Sequence, residues 1–359
     1  MSYFYFEIII LKADKVHHAI CIRHGINIRR GFVEDKQELT LGKYSFQVKN
    51  RNRARGAVLL DTNEGPRLMR EYERIHGHFA FENEVKERLA QRGMPLTDQV
   101  VYNIEGNPVT EWESGEKFVV YQWYYGDSCD YRSSQSLEKA AQNLGQLHRQ
   151  LGDMSEEPVM IEENLFMRYE RRNRELKRVY HFMKNKKRKN EFELCALSCY
   201  PEFFQKAEQA AGYLQKSVYW QRHGRETRDV CHGEYNYHNL IYTKKGIATT
   251  NFEHAHYGIQ LMDLAYFLRK VMEKNAWQKE KGKAVLDGYR SEVEMGAEEY
   301  EFLWTILFYP VKFWKLMSQY MNGKKSWISD KNMEKLVSVR EKEAAKDKFL
   351  GETPNEHWS

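Results

Sequence analysis

The feature that most constrains the fold is a change in hydrophobic periodicity near residue 125. Before it, apolar and polar residues alternate, as at Tyr44, Phe46 and Val48, and short Asn/Gly turns separate the runs. This alternation predicts antiparallel strands, with one helix inserted at residues 79–91. After it, apolar residues recur at helical spacing. A strand-rich part followed by a helix-rich part predicts an α+β protein.

The predicted elements divide the chain into four parts. These are an N-terminal arm (1–40), an N-lobe with an antiparallel sheet and one helix (41–125), a helical C-lobe (126–350) and a tail (351–359). In the C-lobe, one helix is predicted to start at Pro201, and Pro310 is predicted to break another. A strand hairpin is predicted at residues 240–250.

Composition excludes several classes of protein. Charged residues make up 30% of the 359 residues and the net charge is only +5, which permits acidic partners such as phosphates but does not demand them. The apolar residues 3–11 lack a preceding basic segment and are too short to span a bilayer. We therefore expect no membrane span, and a packed arm or edge strand at this end of the chain.

Cysteines, histidines and basic residues could each suggest another function. The five cysteines have no framework spacing, and Cys195 and Cys199 lack a His/Cys pair that would complete a zinc pattern. Four histidines lie close together in sequence: His232, His238, His254 and His256. Their spacing is not a zinc signature either. The basic residues 168–189 could suggest nucleic-acid binding, but they lack a recognised motif for it, and interspersed apolar residues such as Leu176 indicate a solvated helix with a core face. We therefore expect no nucleic-acid partner.

The segment that carries chemistry is residues 231–239 (CHGEYNYHN). It places an acid, Glu234, five positions before an amide, Asn239, and residues 251–253 (NFE) follow the predicted hairpin. In phosphoryl-transfer sites a loop acid accepts the acceptor's hydroxyl proton, a later Asn holds magnesium, and a second acid beyond a hairpin holds the bridging metal. The hairpin serves this chemistry because it returns the second metal ligand beside the first.

The chain resembles the aminoglycoside phosphotransferase and choline kinase group, whose loop reads His-Gly-Asp-x-x-x-x-Asn. Within that group it resembles the CotS family of spore coat proteins, in the form found in clostridia-like spore formers. The motifs that carry the resemblance are residues 55–57 (RGA), 144–148 (LGQLH), 232–239, 263–275, 309–314 (YPVKFW) and 324–327 (KKSW). The resemblance implies a bilobal protein kinase-like fold with a small β-rich N-lobe and a larger helical C-lobe.

The resemblance also implies roles for individual residues. Glu234 takes the place of the catalytic Asp, and three residues stand at or near the metal positions: Asn239, Asn251 and Glu253. His232 and Asp263 correspond to residues that support the loop. Five residues correspond to the nucleotide site: Arg70, its expected partner Glu84 (with Glu82 as the alternative), and the linker residues Gln122, Trp123 and Tyr124. The implied ligands are ATP and Mg²⁺.

Several substitutions predict weak or absent phosphoryl transfer. Glu234 is one methylene longer than Asp, and a misplacement of about 1 Å can cost about a hundredfold in rate. Asn251 replaces a carboxylate by a neutral amide, which binds magnesium more weakly. Arg70 replaces a point charge by a planar fork. The presumed phosphate loop, residues 50–56, contains a single glycine.

We therefore predict a spore coat protein that uses a kinase-like scaffold in coat assembly or structure. The resemblance implies the mother-cell cytoplasm and then the coat as its locations, and other coat proteins as its partners. The alternative from a different class is an active small-molecule kinase with Glu234 as the base and a hydroxyl-bearing acceptor. A third hypothesis is a nucleotide-binding switch without catalysis.

Overall fold

A computed structural model describes residues 41–54, 56–74, 78–112, 115–162, 164–323 and 330–352. The predicted arm (1–40), Arg55, the motif at 324–327 and residues 353–359 lie outside the described residues. Contacts divide the described chain into two compact units. The first unit contains the described residues up to Asp130 together with His232–Ala255, and the second contains the remainder.

A six-stranded antiparallel sheet forms most of the first unit. Its strands are β1 (Val48–Ala54), β2 (Ala57–Thr62), β3 (Gly65–Glu71), β4 (Val100–Val101), β5 (Thr110–Glu111) and β6 (Lys117–Gln122). The order is β1-β2-β3-β6-β4, and β5 also pairs with β6. Alternation buries Leu60, Met69 and Val120 on one face.

Two predictions at the start of this sheet were wrong in detail. The first strand begins at Val48, whereas Tyr44 and Phe46 precede it and stack with their ring centroids 5.2 Å apart. Their apolar side chains are buried in the core without joining the sheet. The presumed phosphate loop is largely strand, because β1 and β2 remain paired as far as Ala54 and Ala57.

One helix and a hairpin complete the first unit. Helix α1 covers Phe79–Gln91, as predicted. The predicted hairpin consists of β11 (Leu240–Thr243) and β12 (Gly246–Thr249), and β11 also pairs with β7 (Asp127–Ser128). Our sequence-based division placed residues 232–253 in the C-lobe. Their contacts instead group them with the first unit, because the hairpin pairs with β7 and the Thr249 amide donates to the Leu96 carbonyl.

The second unit is mainly helical. Its helices are α2 (Ser134–Leu151), α3 (Leu165–Lys184), α4 (Glu191–Lys216), α5 (Val218–His223), α6 (Leu261–Lys274), α7 (Lys279–Arg290), α8 (Ala297–Phe308), α9 (Val311–Asn322) and α10 (Asp330–Glu352). Short strands β8 (Val159–Met160) and β9 (Glu226–Thr227) form one pair, and β10 (Val230–Cys231) and β13 (His256–Tyr257) form another. In the described chain, no helix is both long and apolar enough to cross a membrane.

Two predictions about prolines in this unit had different outcomes. The predicted start at Pro201 was wrong, because α4 begins ten residues earlier, at Glu191, and contains Pro201 in its interior. A capping box between Asn190 and Glu193 satisfies the first amides of the helix. The predicted break at Pro310 is confirmed, since α8 ends at Phe308 and α9 begins at Val311.

Candidate active-site region

Residues 232–239 form a tight loop that is fixed by its own backbone and by His232. This histidine is fully buried. Its Nε2 lies 3.1 Å from the Thr250 carbonyl oxygen, and its Nδ1 accepts a hydrogen bond from the Glu234 amide at 3.2 Å. A carbonyl can only accept, so Nε2 carries the proton. The imidazole thus links the loop to the segment that follows the hairpin.

Gly233 shows why the loop requires a glycine beside the acid. Its φ is 81°, and a Cβ added there would lie 2.0 Å from the carbonyl oxygen of His254. Any other residue would collide with a backbone atom, which cannot move as easily as a side chain. The close approach of these two segments therefore depends on the missing side chain.

Glu234 and Asn239, the predicted base and metal ligand, lie in the same loop. The Glu234 side chain is 30% exposed, and its Oε2 lies 3.6 Å from Nε2 of His254. The Asn239 Nδ2 donates to the Glu234 carbonyl at 3.0 Å. This hydrogen bond orients the amide and leaves Oδ1 as the atom of Asn239 that could face a cation.

Asn251, at the second predicted metal position, has an unusual backbone. Its φ and ψ are 68° and 58°, in the left-handed region, which Asn tolerates better than most residues. Its amide donates to Oδ2 of Asp98 at 2.8 Å. Asp98, from the segment between α1 and β4, therefore holds this backbone in place, and sequence reasoning gave it no role.

Arg70 forms an ion pair with Glu253. Its Nη2 donates to Oε2 of Glu253 at 3.1 Å, and the two side chains are only 10% and 6% exposed. The predicted partner Glu84 is well exposed and pairs with Arg88 instead, so that prediction was wrong. The reason is helical geometry: Glu84 lies on the solvent face of α1. Glu82, the alternative, faces inward but pairs with Lys86.

Lys86 is fully buried at the centre of a charge cluster that the sequence analysis missed. Its Nζ donates to Oε1 of Glu82 at 2.7 Å and to the Asp98 carbonyl at 2.8 Å. It also lies 3.6 Å from Oδ1 of Asp98 and 4.6 Å from the centre of the Tyr121 ring. The i,i+4 spacing of Glu82 and Lys86 on a predicted helix was the available signal.

Burial perturbs the titration of this cluster. Desolvation raises the pKa of Asp98 to about 6, although the Lys86 charge opposes the shift. Desolvation also raises the pKa of Tyr121, and the Glu82 carboxylate adds to that effect. Within the described part of the chain, the Tyr121 hydroxyl and Oε2 of Glu82 have no hydrogen-bond partner. The cluster is thus packed closely but is incompletely hydrogen-bonded.

The three predicted linker residues differ in their surroundings. Gln122 is exposed, whereas Trp123 is buried in an apolar cluster with Ile241 and Ala248 of the hairpin. Two leucines of the sheet, Leu59 and Leu68, pack against the same cluster. The Tyr124 hydroxyl donates to the Thr97 carbonyl at 2.6 Å. The linker therefore contributes side chains to the core where sheet and hairpin meet.

Asp263 lies in the second unit and is buried at the start of α6. Its Oδ2 is 3.4 Å from Nε2 of His148, and Nδ1 of that histidine is 2.8 Å from the Tyr289 hydroxyl. His148 ends the motif at 144–148. Asp263 begins the motif at 263–275. The structure therefore brings together two sequence motifs that are more than a hundred residues apart.

The donor set fits Mg²⁺ poorly. Asn239 and Asn251 offer neutral amide oxygens, and the nearby carboxylate of Glu253 is already paired with Arg70. Magnesium prefers anionic oxygens in strict octahedral geometry. Among the residues that the structure describes, no three His, Cys, Asp or Glu side chains are grouped so that they could hold a metal ion.

Comparison with known proteins places the chain in a family. The family model described as "Spore coat putative kinase YutH" matches residues 37–353. The chain belongs to this family of spore coat kinase-like proteins. It is also 20% identical over 336 residues to spore coat protein S of Bacillus subtilis (strain 168), covering 88% of this chain and 92% of that protein. The resemblance to CotS-type coat proteins is confirmed.

Solved structures confirm the fold. An aminoglycoside phosphotransferase from Alicyclobacillus acidocaldarius superposes with a TM-score of 0.75 at 15% identity, over 92% of this chain and 96% of that one. An amicoumacin kinase, hAmiN, in complex with AMP-PNP, Ca²⁺ and Ami, gives a TM-score of 0.55 at 15% identity, over 89% and 94%. At these identities the likeness establishes the kinase-like fold and a phosphotransferase-like scaffold.

Proposed function

We propose that this coat-family protein acts in the assembly or structure of the spore coat and has little or no phosphoryl-transfer activity. The observation that carries the proposal is the buried ion pair between Arg70 and Glu253. Arg70 stands where the family's phosphate-orienting cation lies, and Glu253 is the carboxylate that could compensate for Asn251. Each neutralises the other, so both charges are used within the protein.

The free-energy cost of breaking this ion pair supports the proposal. Separating a buried ion pair by removing one partner typically costs about 3–5 kcal/mol. A nucleotide that recruited Arg70 would have to offset a similar loss, because Glu253 would be left buried without its partner. A magnesium ion recruited by Glu253 would leave Arg70 in the same condition. Neither ligand is strongly favoured by the residues at hand.

Trp123 adds a second argument. By resemblance, the adenine ring would lie beside the linker, between the sheet and the hairpin. The buried Trp123 packs there with Ile241 and Ala248, and Leu59 and Leu68 contact the same cluster. We propose that the indole, which is itself flat and bicyclic, fills space that an adenine would need. Nucleotide affinity is therefore expected to be low.

Thermal denaturation with ATP, with and without Mg²⁺, tests the proposal. A ligand at a hundred times its Kd stabilises a protein by about 2.7 kcal/mol, which corresponds to several degrees in Tm for a chain of this size. We expect no such shift at millimolar ATP. A metal-dependent shift together with Mg²⁺-dependent turnover of a hydroxyl acceptor would contradict the inactive scaffold, and a metal-independent shift would favour a nucleotide-binding switch.

A pair of glutamate variants tests whether the Arg70–Glu253 ion pair limits nucleotide binding. We expect Glu253→Gln to acquire a metal-independent ATP shift, because Arg70 is released to bind phosphate. Glu111→Gln is the matched control, since Glu111 lies in the same sheet as Arg70 but is exposed and pairs with Lys117. If the two variants respond to ATP alike, the Arg70–Glu253 pair is not what limits nucleotide binding.

The coat role has its own test. We propose other coat proteins as partners, with synthesis in the mother-cell cytoplasm before deposition on the spore. Deleting the gene in the spore former that encodes it should alter the protein composition of purified coats. The allele with Glu234→Gln should restore that composition if the role is structural. Unchanged coats in the deletion strain would contradict the coat role.

One observation favours the alternative of an active small-molecule kinase. The Glu234 carboxylate remains partly exposed, at 30%, in a loop that retains the order of acid and amide. If the chain does transfer phosphoryl groups, Glu234→Gln should abolish turnover while nucleotide binding persists. Turnover that survives this substitution would exclude Glu234 as the base.

A further inference from the structure

A pocket lies wholly within the second unit, apart from every residue discussed as a nucleotide or metal ligand. Most of its lining comes from three segments: the C-terminal half of α6, the turn from Tyr309 into α9, and one face of α10. The turn belongs to the motif at 309–314, to which no function has been assigned above. Six charged side chains contribute to the lining: Arg269, Glu273, Lys312, Lys342, Glu343 and Lys346.

On one side of the pocket, a single carboxylate serves two cations. Arg269 Nη1 lies 2.9 Å from Oε1 of Glu273, and Lys312 Nζ lies 3.3 Å from Oε2 of the same residue. Arg269 and Glu273 are largely buried. Burial alone would raise the pKa of Glu273, but the charges of Arg269 and Lys312 outweigh it and lower that pKa. Glu273 is therefore ionised, and its single carboxylate is shared by two cations.

On the opposite side, a carboxylate is again shared by two cations, but further acids lie nearby. Lys346 is buried, and its Nζ donates to the Phe308 carbonyl at 3.1 Å and to Oε1 of Glu343 at 3.3 Å. The same Oε1 accepts from Lys206 at 3.0 Å. Lys206 also pairs with two acids outside the lining, Glu202 and Asp347. This side therefore holds two lysines and three carboxylates, of which only Lys346 and Glu343 line the pocket.

Lys342 adds a further cation to the lining. It is half-buried in the pocket wall on α10, and among the described residues it has neither an ion pair nor a hydrogen bond through its side chain. The lining thus holds four cations and two carboxylates, and when Lys206 and its partners Glu202 and Asp347 are included, an excess of one positive charge remains. Partly buried charges are screened less than exposed ones, so this excess creates a field that favours an anion.

The size of the pocket limits which anion could enter. Its volume is about 40 Å³, and one water molecule requires about 10–15 Å³ by the same measure. The space therefore holds about three waters, or one small oxyanion. The buried aromatic residues Trp277, Tyr309 and Phe313 line the same pocket, and such surroundings strengthen charge interactions by lowering the local dielectric constant.

We propose that this pocket binds a phosphate-sized oxyanion, held by Lys312 and Lys342 at its rim and by the field of Arg269 and Lys346 behind them. The ligand is either free phosphate or a phosphoryl group carried on a small molecule. Binding would join α6, α9 and α10 through one shared charge. This site is independent of the proposed loss of kinase function, because it uses none of the same residues.

Inorganic phosphate is the probe for the test. The full chain is titrated with phosphate in calorimetry and in thermal denaturation, at constant ionic strength maintained with chloride, and O-phosphoserine is titrated in parallel. We expect saturable binding of at least one of the two and a matching rise in Tm. Saturable binding of neither compound would overturn the proposal.

Matched lysine variants separate a site from a general salt effect. We expect Lys342→Ala and Lys312→Ala each to weaken binding about tenfold, the loss typical of one hydrogen bond to a charged group. Lys335→Ala is the control, because Lys335 is exposed on the same helix and lies outside the pocket lining. Circular dichroism verifies that each variant is folded, and Lys342→Gln replaces Lys342→Ala if the latter is not. Equal affinity in Lys342→Ala and Lys335→Ala would overturn the proposal.

Discussion

The two units of this protein handle buried charge in opposite ways. In the first, two buried cations, Arg70 and Lys86, are enclosed by the carboxylates of Glu82, Asp98 and Glu253, so both of these positive charges are matched internally. In the second, the lining of the pocket contains more cations than carboxylates. The two buried cations of the first unit are thus neutralised by neighbouring acids, whereas the pocket lining in the second unit retains an excess.

This difference indicates that anion binding must be judged from charge balance and not from fold. A kinase-like scaffold predicts where phosphate would bind only if its cations remain available. Charges that are paired within the protein stabilise its native structure but are less available to a ligand. Unmatched charges remain available to a ligand but stabilise the native structure less. Four predictions test the comparison, from the largest expected effect to the smallest.

Replacing Lys86 by Met should have the largest effect. It leaves two buried carboxylates, Glu82 and Asp98, without their cation, and we expect the free energy of unfolding to fall by about 3–5 kcal/mol. Urea denaturation measures this change. The matched control is Arg88→Ala on the same helix, whose exposed pair with Glu84 should contribute no more than about 1 kcal/mol. Equal losses would show that the cluster is not enclosed as described.

The raised pKa of Asp98 predicts that stability depends on pH, and this dependence reports on the same charge cluster. Its folded pKa of about 6 lies above the ordinary value of 3.8. The folded state therefore binds more protons between those values, so the contribution of Asp98 becomes more favourable as pH falls from 6 to 4 and is least favourable above 6. The difference corresponds to about 3 kcal/mol. Urea denaturation of the native protein and of Asp98→Asn across this range measures the effect. The free energy of unfolding of the native protein should rise relative to that of the variant as pH falls. If the two free energies change with pH in parallel, the prediction is contradicted.

Glu273→Gln should affect stability and binding in opposite directions. It removes the carboxylate shared by Arg269 and Lys312, and we expect a loss of about 1.5–3 kcal/mol at neutral pH. Because the folded pKa of Glu273 is lowered, its contribution is present above the ordinary value of 4.5 and is lost as pH falls. The larger cation excess should tighten phosphate binding in calorimetry. Weaker phosphate binding in a folded variant would contradict the charge-balance argument.

Lys342→Ala should have the smallest effect on stability, within about 0.5 kcal/mol in urea denaturation. The reason is that Lys342 has no ion pair to lose among the described residues. Combined with the expected loss of phosphate affinity, this result would show a cation that contributes to binding and not to folding. A loss of stability comparable to that of Glu273→Gln would instead mean that Lys342 is part of the protein's own charge network.

Local patterns in the sequence predicted a large part of the fold. Helix α1 matches its predicted range of 79–91, and the hairpin after Asn239 was expected from its turn residues. These elements depend on periodicity and turn chemistry, which short segments determine. Predictions that depended on distant partners were less successful. Nothing near Arg70 in sequence indicates that it pairs with Glu253, 183 residues away, in preference to Glu84.

By itself, the sequence determined the division into a strand-rich and a helix-rich part, because this follows from periodicity, and its resemblance to a known family indicated the kinase-like fold. Only the tertiary structure decided which charges meet. It enclosed Lys86 between two acids, fixed Asn251 through Asp98, and left Lys342 in a pocket wall without an ion pair among the described residues. The physical reason is that ion pairing and desolvation depend on distance and burial, and both arise only when remote segments pack together.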